Sequence, residues 1–133
     1  EWGESEWAQE LADCYAGFAP KYQEELPSVY YHSKINVNLF HVQCVNSTNP
    51  RVYDVLAAGG FLLTEYKPIL EEEFEPDKHL VCFRSIEEMR EKAEYYLQHE
   101  DEREAIAREG QKFVLKNATY RQRIQVILAK CKG

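Results

Sequence analysis

The sequence has 133 residues, enough for one domain that buries roughly two-thirds of the surface of its unfolded chain. Acidic residues outnumber basic ones by 23 to 16, and the net charge of −7 disfavours non-specific binding to nucleic acid or to an anionic membrane surface. No apolar run approaches the ~18–20 residues of a membrane span, and no signal-peptide pattern is present. We therefore expect a cytoplasmic globular protein without a nucleic-acid partner or a membrane span.

The cysteines and carboxylates give no metal-site pattern. Cys14, Cys44, Cys82 and Cys131 are widely spaced, with no C-x-x-C pair and no zinc-type Cys/His cluster, so we expect free thiols that pack as small hydrophobes. The acidic run 71–73 has no histidine or aspartate partner at ligand spacing and is interpreted as a solvated helix face. No metal and no cofactor are expected.

The first third of the sequence predicts two helices and a strand. Residues 5–15 place their apolar side chains on one helical face, and residues 20–32 form a looser helical stretch that breaks near Pro27. Residues 34–40 alternate apolar side chains with asparagines, which is typical of a strand. The polar stretch 41–49 is predicted to be a loop.

The next segment predicts a helix that runs into a buried strand. Asn49 is a good N-cap, and Pro50 suits the first helical position because its φ is already helical and it has no N–H to leave unpaired. The Gly59-Gly60 pair predicts the end of that helix. The nearly all-apolar run 61–65 follows as a short strand.

The remaining chain predicts a third strand over 79–83 and then helices. A capping-box pattern at Ser85 begins the first of them, another covers about 101–117, and an apolar stripe from Tyr120 marks a last one. Apolar strands that alternate with helices indicate a parallel sheet covered on both faces. The predicted fold class is therefore α/β: one domain over 1–133, a partial Rossmann-like three-layer structure with a short parallel sheet and a C-terminal helical stretch.

Three strands are few for such a domain, because doubly wound sheets usually have five or six. An open sheet edge also invites pairing with another chain. We expect either that the first strands lie upstream of Glu1 or that a partner completes the sheet, and a homodimer through the exposed edge is one such arrangement.

The candidate site lies in the loop 41–49 and the helix that follows it. In a strand–loop–helix unit this loop lies at the ligand crevice, and the N–H groups of the helix start attract an anion. Arg51 would add a cationic fork for phosphate oxygens, or it could pair with a surface carboxylate. Asp54 could accept hydrogen bonds from ribose hydroxyls, or form a surface pair with Arg51 one turn earlier. His41 and Asn46 could contact a ligand from the loop.

Gly59 and Gly60 have two possible roles. They are most often a helix cap, and they also permit a close approach of the backbone in a crowded turn. No P-loop, G-x-G-x-x-G or G-x-S-x-G motif occurs, and no catalytic His–Asp pairing can be recognised.

Four motifs in order resemble a known family. They are S-K-I-x-x-N at 33–38, N-x-R-V-[YF]-[DE]-x-x-A-x-G-G-F-L-L-T at 49–64, E-E-x-x-E-K-x-x-Y-Y-L at 87–97 and R-E-x-I-A-x-x-G at 103–110. Together they resemble the C-terminal part of a group 1-type glycosyltransferase of the CgeB-like, spore-maturation kind. The similarity covers residues 28–130.

The resemblance implies a GT-B glycosyltransferase whose C-terminal half binds a nucleotide sugar. Asp54, five positions before Gly59, stands where such enzymes hold the ribose, and the helix start with Arg51 would face the diphosphate. Asn46 stands where the family has a second acidic residue near the donor sugar, so the sequence departs from the family pattern there. The resemblance implies transfer without a metal, and an N-terminal acceptor domain of the same protein as partner.

The resemblance also implies that the fragment alone is inactive, since the acceptor domain and the first strands of the donor domain would lie outside it. The catalytic residues stay unknown. The alternative is a non-catalytic Rossmann-like module that binds an anion or a protein and keeps the helix–glycine–strand unit for folding reasons.

Overall fold

The computed structural model describes residues 24–41, 44 and 47–131. The helix predicted over 5–15, together with Cys14 and Asn46, lies outside the described residues. Within them the chain alternates helices with short strands, and these elements run in the following order: α1 (Leu26–His32), β1 (Asn36–Asn38), α2 (Pro50–Ala58), β2 (Leu62–Glu65), α3 (Pro68–Glu73), β3 (Val81–Phe83), α4 (Ile86–Gln98), α5 (Glu100–Asn117) and α6 (Tyr120–Cys131).

The three strands form one parallel sheet in the order β1-β2-β3. The central strand β2 pairs on both sides, so that Leu63 lies beside Val37 on one neighbour and beside Val81 on the other. Leu62 and Leu63 of β2 are both fully buried although they point to opposite faces of the sheet. The predicted α/β fold with a short parallel sheet flanked by helices is therefore confirmed.

Each face of the sheet carries its own apolar core. On one face Leu62 and Cys82 pack with side chains of α2 and the C-terminal part of α5, including Val55, Leu56 and Val114. The opposite face holds a second cluster of buried side chains from the strands, α4 and α5, made of Phe61, Leu63, Val81, Phe83, Tyr96, Ile106 and Ala107. The alternation of neighbouring strand residues between the two clusters gives the domain its three layers.

Helix α2 begins and ends where its sequence predicts. Pro50 occupies its first turn, and Gly59 adopts a left-handed conformation with φ 84° just after its last residue. The N–H of Gly59 donates to the carbonyl of Leu56 and the N–H of Gly60 to that of Val55, both at 3.0 Å. This is a Schellman cap, which satisfies two carbonyls that the helix end would otherwise leave unpaired.

Helix α1 begins at Leu26, so Pro27 lies in its first turn, where a proline removes no helical hydrogen bond. The expectation that the cysteines pack as small hydrophobes is wrong for Cys131, which is exposed at the end of α6 beside an apolar stripe that is exposed as well. Cys82 is a buried free thiol whose pKa is raised by desolvation to about 11, as expected for a cysteine that packs as a hydrophobe.

Helix α5 packs tightly at Gly110 against Leu56 of α2 and the backbone of His79 just before β3. A Cβ atom at this position would lie 2.3 Å from the carbonyl oxygen of His79 and 2.9 Å from Cδ2 of Leu56. Glycine is thus required by the packing of α5, whose other residues favour a helix.

We expect the Gly110→Ala substitution to lower the free energy of unfolding by about 1–3 kcal/mol, measured by urea denaturation. The gain in helix propensity is at most ~1 kcal/mol, whereas the clash is with a backbone atom that cannot rotate away. Ala105→Ser, at an exposed position of the same helix, is the control and should change stability by no more than about 0.5 kcal/mol. An unchanged or higher midpoint for Gly110→Ala would contradict the packing described.

Candidate functional site

A buried asparagine organises the carboxyl end of the sheet. Asn38, the last residue of β1, is fully buried, and its side-chain oxygen Oδ1 accepts hydrogen bonds from Asn49 Nδ2 at 3.0 Å and from Arg51 Nη1 at 3.4 Å. Its Nδ2 donates to Oγ1 of Thr64 on β2, also at 3.0 Å. One amide therefore connects two strands, the loop after β1 and the first turn of α2.

Asn49 occupies the N-cap position of α2 but does not cap it. Its backbone is extended, as expected at an N-cap, and its side chain accepts no hydrogen bond from the first turn. The side chain instead donates to Asn38, while its own Oδ1 is buried without a hydrogen-bond partner among the described residues. The first-turn N–H groups of α2 are thus left without a side-chain cap, and they lie at the positive end of the helix dipole.

Arg51 and Asp54 lie one turn apart on α2, as the sequence predicts. Arg51 is exposed and its guanidinium reaches back to Asn38. Asp54 is half-buried and lines a cavity of about 190 Å³ together with residues from the preceding loop, α2, the connection after α5 and the start of α6: Thr48, Pro50, Tyr53, Ala118, Tyr120 and Arg123. Arg51 and Asp54 therefore lie one turn apart on the same helix, but Arg51 reaches towards Asn38 and is not among the residues that line the cavity of Asp54.

A second cavity of about 420 Å³ adjoins the first and shares Tyr53 and Arg123 with it. The Arg123 guanidinium carbon lies 4.1 Å from the centre of the Tyr53 ring, and Nη2 of Arg123 is 3.9 Å from a carboxylate oxygen of Glu73. The hydroxyl of Tyr53 donates to Glu73, and Oγ1 of Thr48 lies 3.0 Å from that hydroxyl. Burial, followed by the hydrogen bond to Glu73, raises the pKa of Tyr53.

This Tyr53–Glu73–Arg123 cluster joins the loop before α2, α2 itself, the end of α3 and the start of α6. It corrects the interpretation of the acidic run at 71–73. Glu71 and Glu72 are exposed, but Glu73 is half-buried and contacts the other members of the cluster. The sequence could not show this, because the partners of Glu73 lie far from it along the chain.

The two glycines do not join Arg51 and Asp54. Helix α2 runs from the carboxyl end of β1 to the amino end of β2, so Gly59 and Gly60 lie at the opposite end of the helix from Arg51. A Cβ at Gly60 would be 2.6 Å from the carbonyl oxygen of Tyr30 and 2.8 Å from Nδ2 of Asn36. The close backbone approach that the sequence suggests is therefore an approach to α1 and β1.

His41 is exposed in the loop after β1, and Asn46 lies outside the described residues. Sequence reasoning missed Glu65, whose carboxylate accepts a hydrogen bond from the backbone N–H of Phe40 at 2.9 Å. It also missed Arg84, which stacks on the ring of Tyr66 with its guanidinium carbon 3.4 Å from the ring centre. Glu65 ends one strand and Arg84 follows another, and strand ends of a parallel sheet are where ligand crevices form.

The described residues contain no group of three or more His, Cys, Asp or Glu side chains arranged to hold a metal ion. Within the same part of the chain, no helix is long and apolar enough to cross a membrane.

The fold is that of a Rossmann-like α/β domain, and polar side chains lie together at the carboxyl ends of its parallel strands. Comparison with protein families then identifies it more closely. Residues 2–129 match the model of the glycosyl transferase-like family, and the chain belongs to that family. No curated protein and no solved structure gives a significant match. The family membership supports a general role in glycosyl transfer.

We expect Asn38→Ala to lower the free energy of unfolding by about 2–4 kcal/mol, because it leaves the Asn49 amide and the Thr64 hydroxyl without their buried partner. Urea denaturation measures the loss. Asn117→Ala is the matched control, since that side chain donates only to a helix carbonyl at the surface and its removal should cost no more than about 0.5 kcal/mol. Equal stability of the two variants would show that Asn38 does not hold the crevice together.

Proposed function

We propose that the chain is the nucleotide-sugar-binding part of a GT-B glycosyltransferase of the CgeB-like kind, which transfers a glycosyl group from a nucleotide-diphosphate sugar to an acceptor. One observation carries the proposal: in a chain of the glycosyl transferase-like family, Arg51 and Asp54 lie one turn apart on a helix whose first turn is held at the carboxyl end of β1. A cation can pair with the anionic diphosphate, and a carboxylate one turn away can accept hydrogen bonds from the neutral ribose hydroxyls of the same nucleotide.

The diphosphate would bind at the start of α2. Its oxygens are acceptors, and the first-turn N–H groups that Asn49 leaves without a side-chain cap are donors at the positive end of a helix dipole. Arg51 is exposed, and its long 3.4 Å bond to Asn38 leaves the other guanidinium N–H groups available for phosphate oxygens. Asn38 acts here as a positioning residue, because it holds both the helix start and the arginine.

The ribose would bind at Asp54. An ionised carboxylate accepts two hydrogen bonds, which matches the two adjacent hydroxyls of a ribose. The cavity that Asp54 lines also contains an aromatic ring from Tyr120 and a cation from Arg123, so that the surroundings offer stacking and a further positive charge. Gly59 and Gly60 serve this site only indirectly, by ending α2 where β2 begins.

In the transfer step, the bond between the anomeric carbon and the leaving phosphate oxygen breaks while the acceptor hydroxyl forms the new bond and loses its proton. Negative charge therefore grows on the departing diphosphate. The dipole of α2 and the Arg51 guanidinium would stabilise that charge, which is the task a metal performs in other transferases. We propose no metal and no cofactor for this reaction.

His41 and Asn46 are the proposed neighbours of the donor sugar, since both belong to the loop that leads from β1 to the start of α2. The acceptor would bind to an N-terminal acceptor domain of the same protein, and that domain would also supply the base if the enzyme inverts the anomeric configuration. The outer edge of the short sheet is a further place where another strand or a second copy of the chain could pair.

The test is calorimetric titration of the full-length protein with UDP, GDP and dTDP. We expect one of the three to bind, and Asp54→Ala to weaken that nucleotide by about 10- to 150-fold, as expected for the loss of hydrogen bonds to a charged group. Arg51→Gln should weaken both the nucleotide and inorganic pyrophosphate, whereas Asp54→Ala should leave pyrophosphate unchanged.

Glu72→Ala is the matched control, because it removes the same charge from an exposed position on α3 and should leave all affinities unchanged. The proposal is wrong if none of the three nucleotides produces heat, or if Asp54→Ala binds nucleotide as tightly as the unmodified protein.

A further inference from the structure

The larger of the two adjoining cavities has no part in the proposed contacts with the diphosphate or the ribose. Its volume of about 420 Å³ falls within the range of small-molecule sites, roughly 300–1,000 Å³. Its lining includes the rings of Tyr53, Phe74 and Phe113. The centre of the Phe74 ring lies 5.6 Å from that of Tyr53 and 5.5 Å from that of Phe113, so the three rings are neighbours. An aromatic lining of this kind suits a flat aromatic ligand.

Two opposite charges lie side by side at the same cavity. Glu73 and Arg123 both line it, and Nη2 of Arg123 is 3.9 Å from Oε1 of Glu73. The hydroxyls of Tyr53 and Thr48 both donate to the other carboxylate oxygen, Oε2. Among the described residues Oε1 therefore has only the long contact with Arg123, and it can accept hydrogen bonds from a ligand. The guanidinium has five N–H groups, so it can also donate to a ligand beside the carboxylate.

The two cavities follow each other in the order in which a nucleotide is built. The base of a nucleotide is attached to its ribose, and the ribose to its diphosphate. Asp54 in the smaller cavity is the proposed ribose contact, and the larger cavity shares Tyr53 and Arg123 with it. A ribose bound at Asp54 would therefore have the larger cavity next to it, where the base can enter.

We propose that the larger cavity binds the nucleobase of the donor and that this base is guanine, an inference that rests on the proposed function and names its nucleotide. The Watson–Crick edge of guanine has two adjacent donors, N1–H and the 2-amino group, followed by the acceptor O6. A carboxylate can accept from both donors while a neighbouring guanidinium donates to O6. Glu73 and Arg123 are such a pair. The aromatic lining supplies stacking, which the faces of all bases can use.

The other bases match this pair of charges less well. Uracil and thymine have a single N–H between two carbonyl oxygens, so that a carboxylate at this N–H is repelled by an acceptor on each side. Adenine and cytosine have one amino donor followed by a ring acceptor, and they give Glu73 one hydrogen bond where guanine gives two. The carboxylate therefore favours guanine over the other four bases.

The test is calorimetric titration of the full-length protein with GDP, IDP, ADP, CDP, UDP and dTDP. IDP differs from GDP only by the absence of the 2-amino group, so this pair isolates one hydrogen bond. We expect GDP to bind about tenfold or more tightly than each of the other five, since a hydrogen bond to a charged group contributes about 10- to 150-fold in affinity.

Glu73→Gln keeps the size of the side chain and an oxygen for the Tyr53 hydroxyl but removes the charge. We expect it to weaken GDP more than IDP and to lower the ratio of the two affinities from about tenfold or more to within about threefold. A purely structural role of Glu73 would weaken both nucleotides equally and leave that ratio unchanged. Arg123→Gln should weaken GDP and IDP to the same extent, because both contain O6.

Glu72→Gln is the matched control, because it makes the same change at an exposed position of α3 and should leave all six affinities unchanged. Equal affinities for GDP and IDP, or a ratio that Glu73→Gln leaves unchanged, overturn the guanine site. Binding of UDP or dTDP that equals or exceeds that of GDP overturns it as well and leaves the nucleotide-sugar proposal intact. ADP or CDP binding as tight as that of GDP also overturns it, and the absence of binding of every nucleotide contradicts both proposals.

Discussion

The arrangement of the crevice depends on a buried amide that has to find partners. Asn38 is fully enclosed at the end of β1, and an unpaired amide in such a place would cost more than most single contacts provide. Its three partners come from β2, from the loop after β1 and from the first turn of α2. The start of α2 is therefore fixed to the sheet by polar pairing, while the rest of the helix is fixed by apolar packing.

The two ends of α2 therefore differ in the groups that hold them, with polar side chains at its start and close backbone packing at its end. At the start of the helix, the exposed Arg51 and the half-buried Asp54 surround a first turn without a side-chain cap. At its end, the Gly60 backbone packs directly on α1 and β1, with no space for a Cβ. Because the C-terminal end of α2 is packed against the rest of the domain, the charged side chains at its N-terminal end have a backbone in a fixed position.

Most of the helices and strands can be predicted from the sequence, because the caps and apolar runs that define them are formed by residues that are neighbours along the chain. The Asn-Pro start and the Gly-Gly end define α2, and the apolar runs define β2 and β3. The pairing of Asn38 with Thr64 could not be predicted in the same way, because it requires the register between two strands. The contacts of Glu73 likewise require the arrangement of α2, α3 and α6. For α6, periodicity identified the apolar face correctly, but periodicity cannot show whether anything covers it.

Helix α6 contributes side chains to the candidate site from its first turns. Tyr120 and Arg123 line the cavity beside Asp54, and Arg123 is held over the ring of Tyr53 and within 3.9 Å of a carboxylate oxygen of Glu73. Since Tyr53 lies on α2 and Glu73 at the end of α3, one arginine connects the start of α6 to two other helices. A cation that is held by a ring and a carboxylate has a fixed position, so the cavity beside Asp54 has a positive charge at a defined place.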